Sequence, residues 1–140
     1  VQALGNNLVT RGTVFSKKSF AIYLFQFPNN VIVKVTSNAA STYDHFHELK
    51  IFEKNKSLIH SYSETFSFRK KNNKTFFSRI KNKYPDKKNR KKLIQSFVDI
   101  LLDKKNNEII SLKEQIDLMT VCFAADKALE TGKKIKIRYK

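Results

Sequence analysis

Two histidines set two positions apart are the residues in this sequence whose chemistry stands out first. His45 and His47 lie within residues 43–53, where successive side chains alternate in kind. A period of two with aromatic and β-branched residues predicts a strand, on which both imidazoles point to the same side. Such a pair can bind a metal, hydrogen-bond a substrate or neighbouring domain, or serve structure alone. A metal would need further ligands, and we predict no metal site.

Other reactive groups are sparse. The three glycines, Gly5, Gly12 and Gly132, are too far apart for a phosphate-binding loop or a dinucleotide fingerprint. Cys122 falls within an apolar stretch of a predicted helix, which favours an inert core thiol over a nucleophile. No serine stands in an arrangement that suggests a base and an oxyanion hole. The sequence therefore predicts no catalytic residue.

The positive charge is concentrated in one segment. The formal charge is +16, and 12 of the 28 basic residues lie between Arg69 and Lys92, with Asp86 as the only acid there. Most are lysines interleaved with asparagines, while arginine, which binds phosphates and base edges in a fork, is scarce. We interpret residues 70–88 as a solvated connector. An anionic ligand remains an alternative, and nucleic acid is the least favoured partner.

Length and composition bound the class of protein. The 140 residues include 12 Phe and 5 Tyr, enough for the core of one domain. A single cysteine permits no internal disulfide, which fits the reducing cytoplasm. There is no secretory leader and no apolar run near the roughly 20 residues of a membrane span, so we expect a cytoplasmic protein without membrane contact.

Alternation predicts a series of strands that position these residues. They cover residues 1–7, 20–27, 31–38, 43–53, 57–61, 64–69 and 135–139. Pro28 precedes two asparagines that suit a two-residue hairpin turn. That turn places Phe27 opposite Ile32. One hairpin face, predicted to face the core, then carries Phe20, Ile22, Leu24, Val33 and Val35.

The other hairpin face is unusually aromatic for a solvent surface. It carries Tyr23, Phe25, Phe27 and Ile32. Exposed patches of this kind usually mark an interface or a ligand site. We favour an interface with another subunit, and leave open a ligand wall or coverage by a further segment of this chain.

Two helices follow the strands. The first begins at Asn89, and its core-facing stripe is Leu93, Ile94, Phe97, Val98 and Leu101. Ser111 and Glu114 form a capping box for the second, and Gly132 ends it. Its core-facing residues are Leu112, Ile116, Met119 and Phe123, broadened by Val121, Ala124, Ala125 and Ala128. The order predicts an α+β fold: one mainly antiparallel (mixed) sheet of about six strands, with both helices packed on one face.

Several runs together resemble the C-terminal domain of the Gfo/Idh/MocA oxidoreductases. They are residues 1–3, 25–35, 43–47, 49–52, 93–99 and 128–137, and their order along the chain resembles that of the family. One departure is at residues 53–56, where Glu-Lys-Asn-Lys replaces the family's usual glycines, so the geometry of that turn differs.

The resemblance implies a function for the chain. Family members carry an N-terminal Rossmann domain that binds NAD or NADP, and they act on sugars, inositols or nucleotide-sugars. The family's Glu-Lys-Pro and Asp-x-x-x-His motifs are not found in these residues. Residues 1–140 would then be a single C-terminal substrate-binding and oligomerisation domain, without the Rossmann domain that is its partner. Alone it would be inactive and bind no cofactor.

On this hypothesis the substrate-side residues are those with hydrogen-bonding groups suited to hydroxyls or phosphates. They are Thr10, Arg11, Asn38, Tyr43, His45 and His47. The domain would form a homo-oligomer through the aromatic sheet face. The alternatives are a basic binding module for nucleic acid or another polyanion, and a catalytically dead paralogue used for assembly.

Overall fold

A computed structural model describes residues 1–14, 17–81, 87–102 and 109–139. Its described part is α+β, with seven strands and two helices. The chain divides into two compact units, the first formed by Val1–Thr42 with Ile109–Lys140 and the second by Tyr43–Glu108. The α+β prediction is confirmed. One sheet of six strands is wrong, because the strands form separate sheets of three and four.

The elements follow in chain order. The strands are β1 (Gln2–Asn6), β2 (Phe20–Gln26), β3 (Ile32–Asn38), β4 (Leu49–Phe52), β5 (Lys56–His60), β6 (Glu64–Lys71) and β7 (Lys74–Lys81). The helices are α1 (Lys87–Leu101) and α2 (Leu112–Thr131). All pairings are antiparallel, in the orders β1-β2-β3 and β4-β5-β6-β7. No described helix has the length and apolar content needed to cross a membrane.

The core of the first unit lies between α2 and one face of β1 and β2. Ala3 and Phe25 from the strands are buried with Ala125 and Ala128 from the helix. Small side chains bring the helix close to the sheet. At Gly5 a Cβ would stand 2.5 Å from the carbonyl oxygen of Phe20 and 2.9 Å from Leu129 Cδ1. Glycine is therefore required at position 5, so that β2 and α2 can approach β1 closely.

Both ends of α2 are as predicted. The Ser111 hydroxyl accepts from the Glu114 amide at 3.2 Å, and Glu114 Oε2 accepts from the Ser111 amide at 2.8 Å. Gly132 is left-handed at φ 67°, and its amide donates to the Ala128 carbonyl at 2.9 Å. The capping box and glycine stop are local signals, so they do not depend on distant packing.

The predicted core face of α2 was right only for the four residues expected to broaden it. The four residues expected to lead it are all exposed: Leu112, Ile116, Met119 and Phe123. At about 100° per residue, the side that packs on the sheet is the opposite one. It carries Val121, Ala124, Ala125 and Ala128. Cys122 is also exposed, so it is not a core thiol. The small residues of β1 and β2 select the alanine side because only short side chains fit the narrow gap.

The register of the β2–β3 hairpin was predicted one residue out. The Phe27 amide donates to the Val31 carbonyl at 2.9 Å, which leaves a three-residue connection with Asn30 at φ 63°. Phe25 therefore pairs with Val33. A shift of one residue moves every β3 side chain to the other face of the sheet. Val33 and Val35 thus share a face with Phe25 and not with Leu24.

The core side of this hairpin is the aromatic one. Phe25 is buried beneath α2, and Tyr23 packs partly buried beside it. Burial, with the charge of Asp126 on α2, raises the pKa of Tyr23 above its usual value. The prediction that Phe20, Ile22 and Leu24 face the core was wrong, because α2 covers the opposite side.

The closing segment is not the predicted strand at residues 135–139. Ile135 nevertheless exchanges hydrogen bonds with Val1: its amide donates at 2.9 Å, and its carbonyl accepts from the Val1 nitrogen at 2.7 Å. Ile135 and Ile137 pack on the core while their charged neighbours are exposed. Of the three apolar residues that alternate here, Ile135 and Ile137 are therefore partly buried, whereas Tyr139 is exposed.

In the second unit, the end of β6, a turn and strand β7 occupy residues 70–81 of the predicted connector. Asn72 and Asn73 both have positive φ, 47° and 57°, and form a two-residue turn between β6 and β7. The connector prediction was wrong because the abundance of lysine and asparagine obscured the alternation of β7. The part of that segment at residues 82–86 lies outside the described residues.

Helix α1 forms as predicted, but its apolar stripe is not buried. Leu93, Ile94, Phe97, Val98 and Leu101 are exposed, while Ser96 and Asp99 are buried. The carboxylate of Asp99 accepts from Gln95 Nε2 at 2.9 Å. The core-facing assignment was therefore wrong. Residues 104–107, where a polar end to this helix was expected, lie outside the described part of the chain.

Candidate functional site

The two histidines lie just before a strand and not within one. Residues 43–48 have no strand, and β4 begins at Leu49. The predicted strand over residues 43–53 was therefore too long. Both imidazoles are exposed, and their ring centroids are 5.0 Å apart in an edge-on contact. Residues 45 and 47 are thus brought together, as the sequence predicted, by a different local conformation.

An aromatic cluster holds the segment that carries these histidines. The ring centroids of Tyr43 and Phe46 are 5.3 Å apart, and those of Phe46 and Tyr62 are 5.9 Å apart. The Tyr62 hydroxyl also donates to Asp44 Oδ2 at 3.4 Å. Tyr62 lies in the turn between β5 and β6, so the cluster fastens the segment to the four-stranded sheet.

The other predicted substrate residues belong to the first unit. Thr10 lies in a turn in which its amide donates to the Asn7 carbonyl at 3.0 Å. Asn38, at the end of β3, accepts the Ala40 amide on its Oδ1 at 3.2 Å. Arg11 is exposed. Thr10 and Asn38 thus take part in shaping their own turns, and a role of all three in substrate binding stays a prediction.

The third histidine has a structural partner. His60 lies on β5, and its Nδ1 is 2.9 Å from the Thr65 hydroxyl on β6. Within the described ranges, no group of three or more His, Cys, Asp or Glu side chains could hold a metal ion.

One face of the three-stranded sheet, which we call the open face, lies opposite α2. The pairing aligns Leu4 with Ile22, Gln2 with Leu24, and Gln26 with Ile32, so these residues share that face. Its apolar members are Leu4, Phe20, Ile22, Leu24 and Ile32. Leu4 and Ile32 are 77% and 71% exposed, values expected of polar strand residues. A shallow cleft of about 210 Å³ borders this face near Leu24 and Ile32.

Sequence reasoning missed an aromatic surface on the four-stranded sheet. Phe66, Phe68 and Phe77 share one side of it, which we call the phenylalanine face. The Phe77 centroid lies 5.8 Å from that of Phe66 and 5.3 Å from that of Phe68. The signal that could have revealed it is the Asn72-Asn73 pair, a hairpin turn flanked by residues with a period of two.

Cations surround the phenylalanine face. The register places Lys50, Lys70, Arg79 and Lys81 on the same side as its rings. Lys50 Nζ is 2.7 Å from Glu48, and Arg79 pairs with Glu64. Beside Phe68, a cleft of about 180 Å³ is lined by residues that include the basic Lys54, Lys56, Arg69 and Lys70 and the acidic Glu53. Both this cleft and the one beside the open face are smaller than the roughly 300–1,000 Å³ typical of small-molecule sites.

The histidine segment supplies hydrogen-bonding groups, the open face supplies apolar area, and the phenylalanine face supplies aromatic rings and positive charge. Each of these properties can contribute to binding a ligand or partner. The chain has no match among protein-family models, curated proteins or solved structures.

Proposed function

We propose that this chain is the C-terminal, substrate-side and oligomerisation domain of an NAD(P)-dependent oxidoreductase that acts on a sugar, inositol or nucleotide-sugar. The proposal rests on the resemblance of ordered sequence runs. It is supported by β1, the β2–β3 hairpin, and α2 with its glycine stop, which are elements on which that resemblance depends. The observation that carries the proposal furthest is the exposed apolar open face.

In this proposal, hydride transfer takes place on a Rossmann domain that holds NAD or NADP. This chain contributes hydrogen-bonding side chains around the substrate, of which Tyr43, His45 and His47 lie together on one fastened segment. By itself it neither turns over substrate nor binds the cofactor. A cytoplasmic location goes with its single cysteine.

The open face is the proposed contact between subunits. An antiparallel sheet covered on one side usually exposes polar residues on the other. Here that side presents exposed Leu4 and Leu24 among polar residues such as Gln26 and Lys34. Of the four residues first assigned to the interface, Phe27 and Ile32 are exposed, whereas Tyr23 and Phe25 lie on the α2 side. The proposed contact is therefore centred on Leu4, Ile22, Leu24 and Ile32.

Light scattering coupled to size-exclusion chromatography tests this contact. We expect the unmodified chain to elute as an oligomer and Ile32→Lys to elute as a monomer, because a buried lysine would lack a partner. Ser37→Lys is the matched control. Ser37 is also exposed on β3 but pairs with Ala21 on the α2 side, so this variant should remain oligomeric. A monomeric unmodified chain at high concentration would exclude this contact.

The substrate side is tested by NMR. Titration of ¹⁵N-labelled chain with myo-inositol, glucose and a nucleotide-sugar should shift the amide resonances of residues 43–47 before others. NADH fluorescence should show no saturation in the micromolar range. Tight NADH binding by this chain alone, or shifts confined to other segments with every ligand, would contradict the proposal.

A further inference from the structure

We propose that the phenylalanine face of the four-stranded sheet binds single-stranded nucleic acid. The inference is independent of the proposed oxidoreductase role, since it rests on Phe66, Phe68, Phe77 and the cations around them. None of these belongs to the open face or to the histidine segment.

Part of the positive charge lies where a ligand on this face would meet it. Residues 49–81 contain nine lysines and arginines against two glutamates, a formal +7. Lys50, Lys70, Arg79 and Lys81 share the face with the rings, as does Glu64, whereas Arg69, Lys71 and Lys74 point to the other side of the sheet. Two arguments from the sequence stood against nucleic acid: the scarcity of arginine and the placement of the charge in a connector. The position of residues 70–81 on paired strands removes the second argument, because a sheet holds cations at fixed spacing.

The rings provide a platform for bases. Phe77 stands between Phe66 and Phe68, and its ring is nearly parallel to that of Phe66, with 20° between their planes. Phe77 is 57% exposed, so much of its surface is open to a ligand. Phe52, on edge strand β4, lies in the same cross-strand row and is also exposed. Bases stack on aromatic side chains with little dependence on sequence.

The basic cleft next to Phe68 gives the phosphates a place. Lys54 comes from the β4–β5 turn, Lys56 begins β5, and Arg69 and Lys70 come from β6; the acidic Glu53 also lines the cleft. The Lys70 amide donates to the Asn55 carbonyl at 2.9 Å, which fixes the turn against the strand. A backbone following this cleft would leave its bases beside Phe68 and Phe77.

Charge complementarity selects this occupant over a second copy of the chain. Two phenylalanine faces packed together would bring Lys50, Lys70, Arg79 and Lys81 against their equivalents, and like charges across an interface disfavour association. An acidic protein would also satisfy the cations. A single strand suits the face better, because it carries a flat base beside each phosphate and so offers rings and negative charge together along one chain.

Fluorescence anisotropy of the full chain with a labelled, mixed-sequence DNA ten-mer tests the proposal. We expect Phe77→Leu to weaken binding by on the order of tenfold, because leucine keeps apolar area but loses the stacking surface. Phe76→Leu is the matched control. Phe76 is adjacent on β7, points to the opposite face and is 56% exposed. Its substitution should leave binding unchanged.

A second pair of variants tests the charge. Lys70→Gln should reduce the slope of log K against log salt by about 0.7, the value for one phosphate contact on a single strand. Lys71→Gln, on the other face, should leave the slope unchanged. If the Phe77→Leu variant fails to fold, the comparison of Lys70→Gln with Lys71→Gln tests the proposal by itself.

Heparin distinguishes nucleic acid from polyanions in general. It should bind less tightly than the ten-mer and be insensitive to Phe77→Leu. Three results would overturn the proposal. They are an equal loss of affinity for heparin and for the ten-mer in Phe77→Leu, equal effects of Phe76→Leu and Phe77→Leu on binding of the ten-mer, and no binding of the ten-mer at physiological salt. Ile32→Lys, which tests the oligomer, should leave oligonucleotide binding unchanged, so the two proposals can fail separately.

Discussion

At the scale of single residues, the N-terminus of α2 has a measurable electrostatic consequence. The amide and hydroxyl of Ser111 both donate to Glu114, and these bonds hold the pKa of that carboxyl below its ordinary value. A lowered pKa means that the folded state favours the carboxylate. The stabilisation is therefore complete above the pKa of the unfolded chain, about 4.3, and is lost as pH falls through the folded value.

The pKa of Glu114 should thus depend on Ser111. In an NMR titration of the side-chain carboxyl, we expect Glu114 to titrate below the ordinary glutamate range, and Ser111→Ala to raise its pKa because the hydroxyl donor is lost. An unchanged Glu114 pKa in the variant would show that the capping box is not formed in solution.

The same substitution tests the helix cap energetically. Loss of an N-cap serine costs about 1 kcal/mol of stability. In urea denaturation at neutral pH, Ser111→Ala should therefore lower the unfolding free energy by about that amount. Ser111→Asp, which keeps an acceptor for the Glu114 amide, should lose less. Equal losses would mean that the acceptor contributes little.

Gly5 gives a second prediction at this scale. A methyl group there would meet the Phe20 carbonyl oxygen at 2.5 Å, and a backbone atom on a paired strand cannot move aside cheaply. Gly5→Ala should destabilise the first unit by about 1–3 kcal/mol, the usual cost of overpacking. Thermal denaturation measures this. Gly12→Ala is an informative comparison, since no atom lies within 4 Å of its added carbon and its cost would come only from φ 82°.

At the scale of elements, local signals were predictive and long-range pairing was not. The capping box, Gly132 and strands β1, β2, β3, β5 and β6 were all indicated by short stretches of sequence. The register of the β2–β3 hairpin was missed because Pro28-Asn29-Asn30 supports either a two- or a three-residue connection. The side of α2 that meets the sheet was not singled out, because both sides are apolar and were assigned to the core, and only the small residues of β1 and β2 decide between them.

Two substitutions in the β6–β7 turn should change the stability of the protein in opposite directions. Asn73 has φ 57°, a conformation in which glycine is unstrained and alanine is strained. Asn73→Gly should raise the melting temperature and Asn73→Ala should lower it, because only the first suits a turn in which both central residues have positive φ. If alanine were as stable as glycine, the two-residue turn and the register of the phenylalanine face would both be wrong.

At the scale of the whole molecule, the candidate sites depended on pairings that no single stretch reveals. Residues 43–47 were found from sequence because His45 and His47 are close along the chain. The phenylalanine face unites rings from two strands, and the open face unites leucines and isoleucines from three. Such surfaces become visible only once register is fixed, since a one-residue slip exchanges the faces.

The excess of positive charge also acts on the molecule as a whole. With +16 on 140 residues, the compact state repels itself, and Lys71 lies directly opposite Lys74 at the end of the β6–β7 hairpin. Salt shortens the reach of this repulsion to about 10 Å at 0.1 M. The melting temperature should therefore rise as NaCl increases from low to physiological concentration.

Substitution of Lys74 distinguishes the repulsion between Lys71 and Lys74 from the repulsion caused by the overall charge. Lys74→Gln removes one repulsive contact, and Lys74→Glu replaces it with an attraction across the strands, so stability at low salt should increase from the unmodified chain to Gln to Glu. The gain from added NaCl should decrease in the same order, because less repulsion is left to screen. If all three proteins gain equally from salt, the local pair contributes nothing, and the salt effect arises from charge spread over the surface.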